Sequence, residues 1–261
     1  MEVVITETAA KAGALGADAI TELVARQPNA VLGLATGSSP LAVYDELGQR
    51  VRAGTLSLAA TQAFMLDEYV GLPADHPERY RNVIEREFVG RVDIDSARVH
   101  GPDGRAADLA AAAADYEDQI AAAGGVDLQI LGIGTDGHIA FNEPGSSLAS
   151  RTRVKTLTHQ TRADNARFFG GDIEAVPQHC LTQGIGTIMN ARHIMLLASG
   201  RGKAEAVHQL VEGPISAMWP GTILQMHQHV TVLIDTAAAS RLQLATYFTE
   251  TYTAKPCWQG F

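Results

Sequence analysis

The sequence predicts a three-layer α/β fold, in which a mostly parallel open sheet carries helices on both faces (Rossmann-like, doubly wound). Three observations predict it. Short apolar runs alternate with helical patterns along the chain. Runs such as VDLQILG and HIMLLAS are predominantly apolar, as strands buried on both faces are. Glycine-rich and polar segments directly follow four of the runs, where sheets of this type bind ligands.

Taken in order, a helix is expected over 9–26, where apolar residues recur at helical spacing. A strand at 31–35 and a helix at 40–52 follow. Ser39 suits the N-cap of that helix, and Pro40 suits its first position. A strand at 63–66 precedes a helical pattern at 77–88. The alanine-rich stretch 108–123 favours a further helix, which Gly124 and Gly125 would end. Strands at 126–131, 193–198 and 230–234 and helices at 203–211 and 237–247 complete the pattern. The polar segment 151–183 fits least well. It carries Arg151, Arg153, Lys155, Arg162 and Arg167, and reads as a mobile lid inserted over a site.

The 261 residues, 46% hydrophobic and 19% charged, are enough for one domain spanning 1–261 with a sizeable core. The net charge of −9 argues against nucleic acid or an anionic membrane as partner, and leaves a small anionic ligand held in a locally positive pocket. Cys180 and Cys257 have no metal-ligand spacing and read as reduced thiols of a cytoplasmic protein. The N-terminal stretch opens with an acidic residue and has no long apolar run, so neither a signal peptide nor a membrane span is expected.

Candidate site residues lie at the strand ends. Thr36, Gly37, Ser38 and Ser39 precede a helix whose first turn has no acidic side chain, so its free N–H groups suit a phosphate. An ordinary capped helix start fits that loop as well. Lys203 stands in the first turn of a helix, where a cation opposes the helix dipole unless an anion binds there. Asp67 directly follows AFML, and is either a turn residue or a partly desolvated base of raised pKa. The densest signal is GIGTDGHIAFNEPG. There Asp136, His138 and Glu143 form a proton-transfer constellation, in which a carboxylate can hold the imidazole in one tautomer. No second histidine stands at a metal-ligand spacing from His138.

Together these segments resemble the glucosamine-6-phosphate deaminase family. The most specific matches are MLDEYVGL at 65–72, GIGTDGHIAFNEPGSSLASRTR at 132–153 and KTLTHQTRADNARFF at 155–169. The shorter core around Gly137-His138 is also similar to 6-phosphogluconolactonases of the same fold, whereas AFNEP is deaminase-like. The resemblance implies conversion of glucosamine 6-phosphate and water to fructose 6-phosphate and ammonia, without cofactor or metal. It implies Asp67 as the base at C2 and His138, with Asp136 and Glu143, as the ring-opening unit. It implies Arg167, Lys203 and the loop Thr36–Ser39 as the phosphate grip. It further implies a homo-oligomer, hexameric in some members, with an activator site for N-acetylglucosamine 6-phosphate resembling Ser146, Arg153, Lys155 and Tyr247. Glu2 and the tail TETYTAKPCWQGF depart from the pattern expected around that second site. Three alternatives stay open: a lactonase, a sugar-phosphate sensor domain, and a deaminase of another 2-amino-sugar phosphate.

Overall fold

A computed structural model describes residues 1–256 and 258–260, so the expectation for Cys257 lies outside the described residues. The chain opens with β1 (Glu2–Thr6), α1 (Ala9–Arg26), β2 (Val31–Leu34), α2 (Leu41–Arg52), β3 (Gln62–Met65), β4 (Asp67–Tyr69) and α3 (Tyr80–Glu87). Next come β5 (Val99–His100), α4 (Leu109–Ala122), β6 (Leu128–Leu131), β7 (Arg153–Thr156), α5 (His159–Asn165), β8 (His179–Thr182) and α6 (Ile185–Ile188). Finally β9 (His193–Ala198), α7 (Ala204–Glu212), β10 (Val230–Asp235) and α8 (Ala245–Thr253) close the fold.

Seven strands form one sheet in the order β1-β10-β9-β6-β2-β3-β5. Every pairing in it is parallel. All residues of β2, β6 and β9 are buried, as an apolar strand covered on both faces requires. From β2 the chain winds outward to β3 and β5, whereas β6, β9 and β10 lie on its other side. The crevice beyond the ends of β2 and β6 is therefore the switch point of the sheet, the usual ligand position. Two helices are set closely beside it: a Cβ on Gly13 of α1 would stand 2.5 Å from Ala42 Cβ, so only glycine lets α1 approach the start of α2 this tightly.

A second, three-stranded sheet, β4-β8-β7, is antiparallel. Leu66 alone separates β3 from β4. Its N–H donates to Leu34 O (3.2 Å) in the parallel sheet, and its carbonyl accepts Gln183 N–H (2.8 Å) from the antiparallel side. Leu66 is thus the seam between the two sheets. The small sheet has its own core of Tyr69, Leu72, Phe141, Leu157, Ala166, Val176 and Cys180. The segment 151–183 is accordingly no structureless insertion: β7 and β8 anchor its two ends.

Several expectations need correction. The helix at 40–52 has its N-cap at Pro40 rather than Ser39, with no side-chain capping bond. The pattern at 77–88 becomes helical only at Tyr80, because buried Glu68 takes the Tyr80 and Arg81 N–H groups (both 2.9 Å) and fixes the helix start there. The helix expected at 237–247 does not form: Asp235 accepts N–H groups of Ala238 (2.7 Å) and Gly200 (3.0 Å), holding a turn, and α8 begins only at Ala245. Strands β1, β4, β5, β7 and β8 were not expected from the sequence.

Candidate active site

Most side chains of the site are set by strand ends. Beyond β2, the buried Tyr44 hydroxyl accepts Ala35 N–H (3.1 Å) and donates to Ala35 O (2.8 Å), fixing how the chain enters Thr36–Ser39. Gly37 makes the turn at φ +86°, which suits glycine. Ser39 lies against the next loop, its Oγ 3.2 Å from where a Cβ on Gly132 would be.

The loop after β6 is closed by Gly134 N–H to His138 O (2.9 Å), and Gly137 adopts φ +81°. His138 Nδ1 sits 2.7 Å from Asp136 Oδ1, which also accepts the His138 backbone N–H at 3.2 Å. The ring contact is short but off-axis, so Nδ1 has no well-directed hydrogen bond. Half-burial opposes ionisation of Asp136, but the His138 contacts outweigh it and hold the carboxyl below its ordinary value. Glu143 does not join this pair. It is buried, and its Oε1 accepts Thr158 N–H (3.2 Å), Thr158 Oγ (3.0 Å) and the Thr161 hydroxyl. That pins the start of α5, and among the described residues no hydrogen bond or ion pair connects Glu143 to His138. The expected three-residue unit is therefore a His138–Asp136 pair with Glu143 tethering the next segment.

Asp67 begins β4 and is only 6% exposed. Among the described residues no hydrogen bond or ion pair reaches its carboxylate. Burial, and then the neighbouring Glu68 charge, push its pKa from 3.8 to about 8. Across the small sheet Asp67 faces Thr182, whose hydroxyl accepts Phe141 N–H (3.2 Å) from the stretch following His138.

The two expected cations lie within electrostatic reach of each other. Arg167 sits on a single tight turn, Ala166–Phe168, after α5, and Lys203 ends the turn Arg201–Lys203, just before α7 rather than within it. Burial and then repulsion from Arg167 hold Lys203 below the ordinary lysine value, while Asp136 and Asp164 act in the opposite direction. The cationic pair therefore borders the Asp136–His138 loop. Thr36 lies near Tyr80, close enough for its side chain to act on the Tyr80 hydroxyl. Two crowded cations, glycine-rich N–H groups and a partly solvated His–Asp pair suit an anionic substrate and proton transfer.

Of the four residues expected at a second site, two, Arg153 and Lys155, stand on β7. Arg153 donates to Asn142 Oδ1 (2.9 Å), Lys155 pairs with Cys180 across the small sheet, and Ser146 Oγ is buried without a partner. Tyr247 does not join them: it lies 57% exposed on α8, which packs against β1 at the sheet edge. Among the described residues no three histidine, cysteine, aspartate or glutamate side chains are grouped to hold a metal ion. No helix among them is long and apolar enough to cross a membrane.

A sequence model described as glucosamine-6-phosphate isomerases/6-phosphogluconolactonase matches residues 5–233. The chain belongs to this family. Within it, the chain is 74% identical over 260 residues to a glucosamine-6-phosphate deaminase of Beutenbergia cavernae, with 100% of both chains covered. It is 70% identical over 260 residues to one of Mycolicibacterium smegmatis, again with 100% of both chains covered. Among solved structures, a monomeric glucosamine-6-phosphate deaminase matches with a TM-score of 0.89 at 43% identity. That match covers 92% of this chain and 99% of the other.

Sequence reasoning missed several residues that build this site in a family member. Trp219 packs on the loop so closely that a Cβ on Gly137 would stand 2.6 Å from its ring, and Gly221 N–H bonds Gly137 O (2.8 Å). Nothing in the local sequence links 219 to 137. Tyr69 shares a face with Asp67, two residues before it on β4, a relation that shows only once that strand is known.

Proposed function

We propose that the protein is a cytoplasmic glucosamine-6-phosphate deaminase, converting glucosamine 6-phosphate and water to fructose 6-phosphate and ammonia. The observation that carries this reading is Asp67: a buried carboxylate with no hydrogen-bond or ion-pair partner among the described residues, on a strand whose neighbour Thr182 holds the stretch that follows His138.

In this reading Thr36, Gly37, Ser38 and Ser39 with Arg167 and Lys203 hold the phosphate, and that remote grip orients the sugar carbons. His138, steadied by Asp136, moves a proton from the anomeric hydroxyl to the ring oxygen and opens the ring. In the open form the C1 carbonyl acidifies the C2 hydrogen. Asp67 removes that proton, giving an enol with the amino group still on C2, and a proton then adds to C1. The resulting C2 imine takes up water and expels ammonia, leaving the ketone. Glu143 contributes by fixing the start of α5, and thereby the approach to Arg167. The part of 151–183 between its anchoring strands serves as the lid.

The reading also includes a homo-oligomer and an activator site at Ser146, Arg153 and Lys155. The buried Ser146 hydroxyl, unpartnered among the described residues, supports that site. Tyr247 would reach it only from another copy of the chain. Light scattering measures the assembly, and sigmoidal kinetics made hyperbolic by N-acetylglucosamine 6-phosphate test the activation.

The deciding experiment is ammonia release from glucosamine 6-phosphate, compared with glucosamine and N-acetylglucosamine 6-phosphate, with a chelator present. Turnover of the first alone, abolished in Asp67→Asn, is the expected result. Retained activity in Asp67→Asn would overturn the role of the base, and absence of ammonia would overturn the function.

A further inference from the structure

The turn that carries Arg167 is short, and the guanidinium lies over the Phe168 ring of the same turn, 4.7 Å from its centroid. The chain flanking that turn is set by a tyrosine on another strand. Tyr69 of β4 is 2% exposed, and it touches the chain on both sides of Arg167. Two residues before, Asn165 Nδ2 donates to the Tyr69 hydroxyl at 2.9 Å. Two residues after, the Phe169 ring meets the Tyr69 ring edge-on, with centroids 5.7 Å apart at 83°. The same hydroxyl accepts the Tyr80 hydroxyl at 3.3 Å, and Tyr80 in turn stands close to the Thr36 side chain. Rings of Tyr80 (4.7 Å) and Phe141 (5.8 Å) brace Tyr69 from its other sides. One phenol is therefore the common reference for the Thr36 loop and for the Arg167 turn.

We infer that Tyr69 is a positioning residue for substrate phosphate: its hydroxyl sets the spacing between the Thr36–Ser39 loop and the Arg167 guanidinium. The naming of the substrate rests on the deaminase reading above; the binding of an anion between these two elements does not. A second consequence is that β4 carries the base and this reference two residues apart, on one face of one strand. The reacting carbon and the phosphate are thus gauged from the same strand.

The test uses Tyr69→Phe, which keeps the ring packing and removes the hydroxyl, and Asn165→Ala, which removes one partner at a half-buried position. Binding of inorganic phosphate to each variant is measured by calorimetry, and steady-state ammonia release alongside it. Both variants should weaken phosphate binding and raise KM about tenfold, the usual size for one lost hydrogen bond of this kind. The change in kcat should be less than about threefold. The double variant should bind phosphate no worse than the weaker single variant, because both remove one shared contact. Unchanged phosphate affinity in either variant would overturn the proposal. So would a fall in kcat with KM unmoved. If Tyr69→Phe does not fold, Asn165→Ala decides alone. If the wild-type protein binds phosphate but releases no ammonia, the functional reading fails, and the calorimetry still decides the role of Tyr69.

Discussion

Gly134 lies so close beneath His138 that a Cβ added there would stand 2.3 Å from both Nδ1 and Cε1 of the imidazole. The same atom would stand 2.7 Å from Asp136 Oδ1. Gly134→Ala must therefore push the ring off its carboxylate. The expected outcome is a fall in kcat of about 100-fold, the lower range for loss of one general acid–base group, with the melting temperature nearly unchanged. Steady-state ammonia release and thermal melting check it.

A base works only when ionised, so the raised pKa of Asp67 sets an acid limb. kcat/KM should climb with pH up to about 8 and then level. The same shift costs stability. A carboxyl whose folded pKa exceeds its unfolded value favours the fold while protonated, and that advantage is lost as pH rises from 3.8 towards about 8. Asp67→Asn should therefore melt above wild type at pH 8, with the gap closing as pH falls towards 4. A constant gap in melts across that range would show that the carboxylate is not desolvated.

His193 gives the opposite sign at the far end of the sheet. It is buried and stacked on His229 with centroids 3.7 Å apart, and its Nε2 bonds Thr231 Oγ at 2.9 Å. Burial, and then the neighbouring histidines, lower its pKa from 6.5 to about 3. The fold keeps it neutral, so stability is full above pH 6.5 and is lost progressively as pH falls towards 3. At pH 5 the loss should be on the order of 2 kcal/mol. Urea unfolding of wild type and His193→Gln at pH 7 and pH 5 measures it; the variant should lose less.

Lys203 and Arg167 repel each other in the absence of an anion. Lys203→Met should raise KM for the phosphorylated sugar by about 10- to 100-fold, the range expected from losing a charged hydrogen bond. It should also raise the melting temperature slightly in phosphate-free buffer. A KM within twofold of wild type would remove Lys203 from the phosphate grip.

Glu117 joins α4 to the small sheet without touching the chemistry. Its Oε1 accepts Thr152 N–H (2.7 Å) and Thr152 Oγ (2.5 Å), and Arg151 reaches its other oxygen. The half-buried carboxyl is held below its ordinary value: burial opposes ionisation, but the Thr152, Thr187 and Arg151 contacts outweigh it. Glu117→Ala should cost about 2–3 kcal/mol in urea unfolding, as several donors lose a charged acceptor. The kcat should stay near wild type.

The legible parts of the sequence were those decided locally. The span of α1 carries its own periodicity and a Thr8 cap, whose Oγ accepts Lys11 N–H, and 193–198 is apolar throughout. The glycines that end α4 adopt φ +87° and +83°, as a local signal predicts. The unreadable parts depend on distant partners. Asp67-Glu68-Tyr69 has no strand character of its own, and becomes a buried strand only because Cys180, Leu181 and Thr182 pair with it. The stretch after Asp235 has helix-forming alanines, yet one carboxylate takes its N–H groups into a turn. At the site, the resemblance nominated Asp67, His138, Arg167 and Lys203; the structure sets His138 beside Asp136 and brings Lys203 within electrostatic reach of Arg167 and Asp136. The spacing suggested that Glu143 would serve His138, but the short chain distance between them is spent on a turn, and Thr158 and Thr161 take the carboxylate instead.

The seam at Leu66 has a mechanical consequence. Were the three-stranded sheet to tilt against the seven-stranded one, it would turn about the residue next to the base. Asp67 sits at that fulcrum and would scarcely travel, while the segment between β7 and β8, which carries Arg167, would move with the tilting sheet. A phosphate could then be seized or let go at the rim without disturbing the aim of the carboxylate at C2.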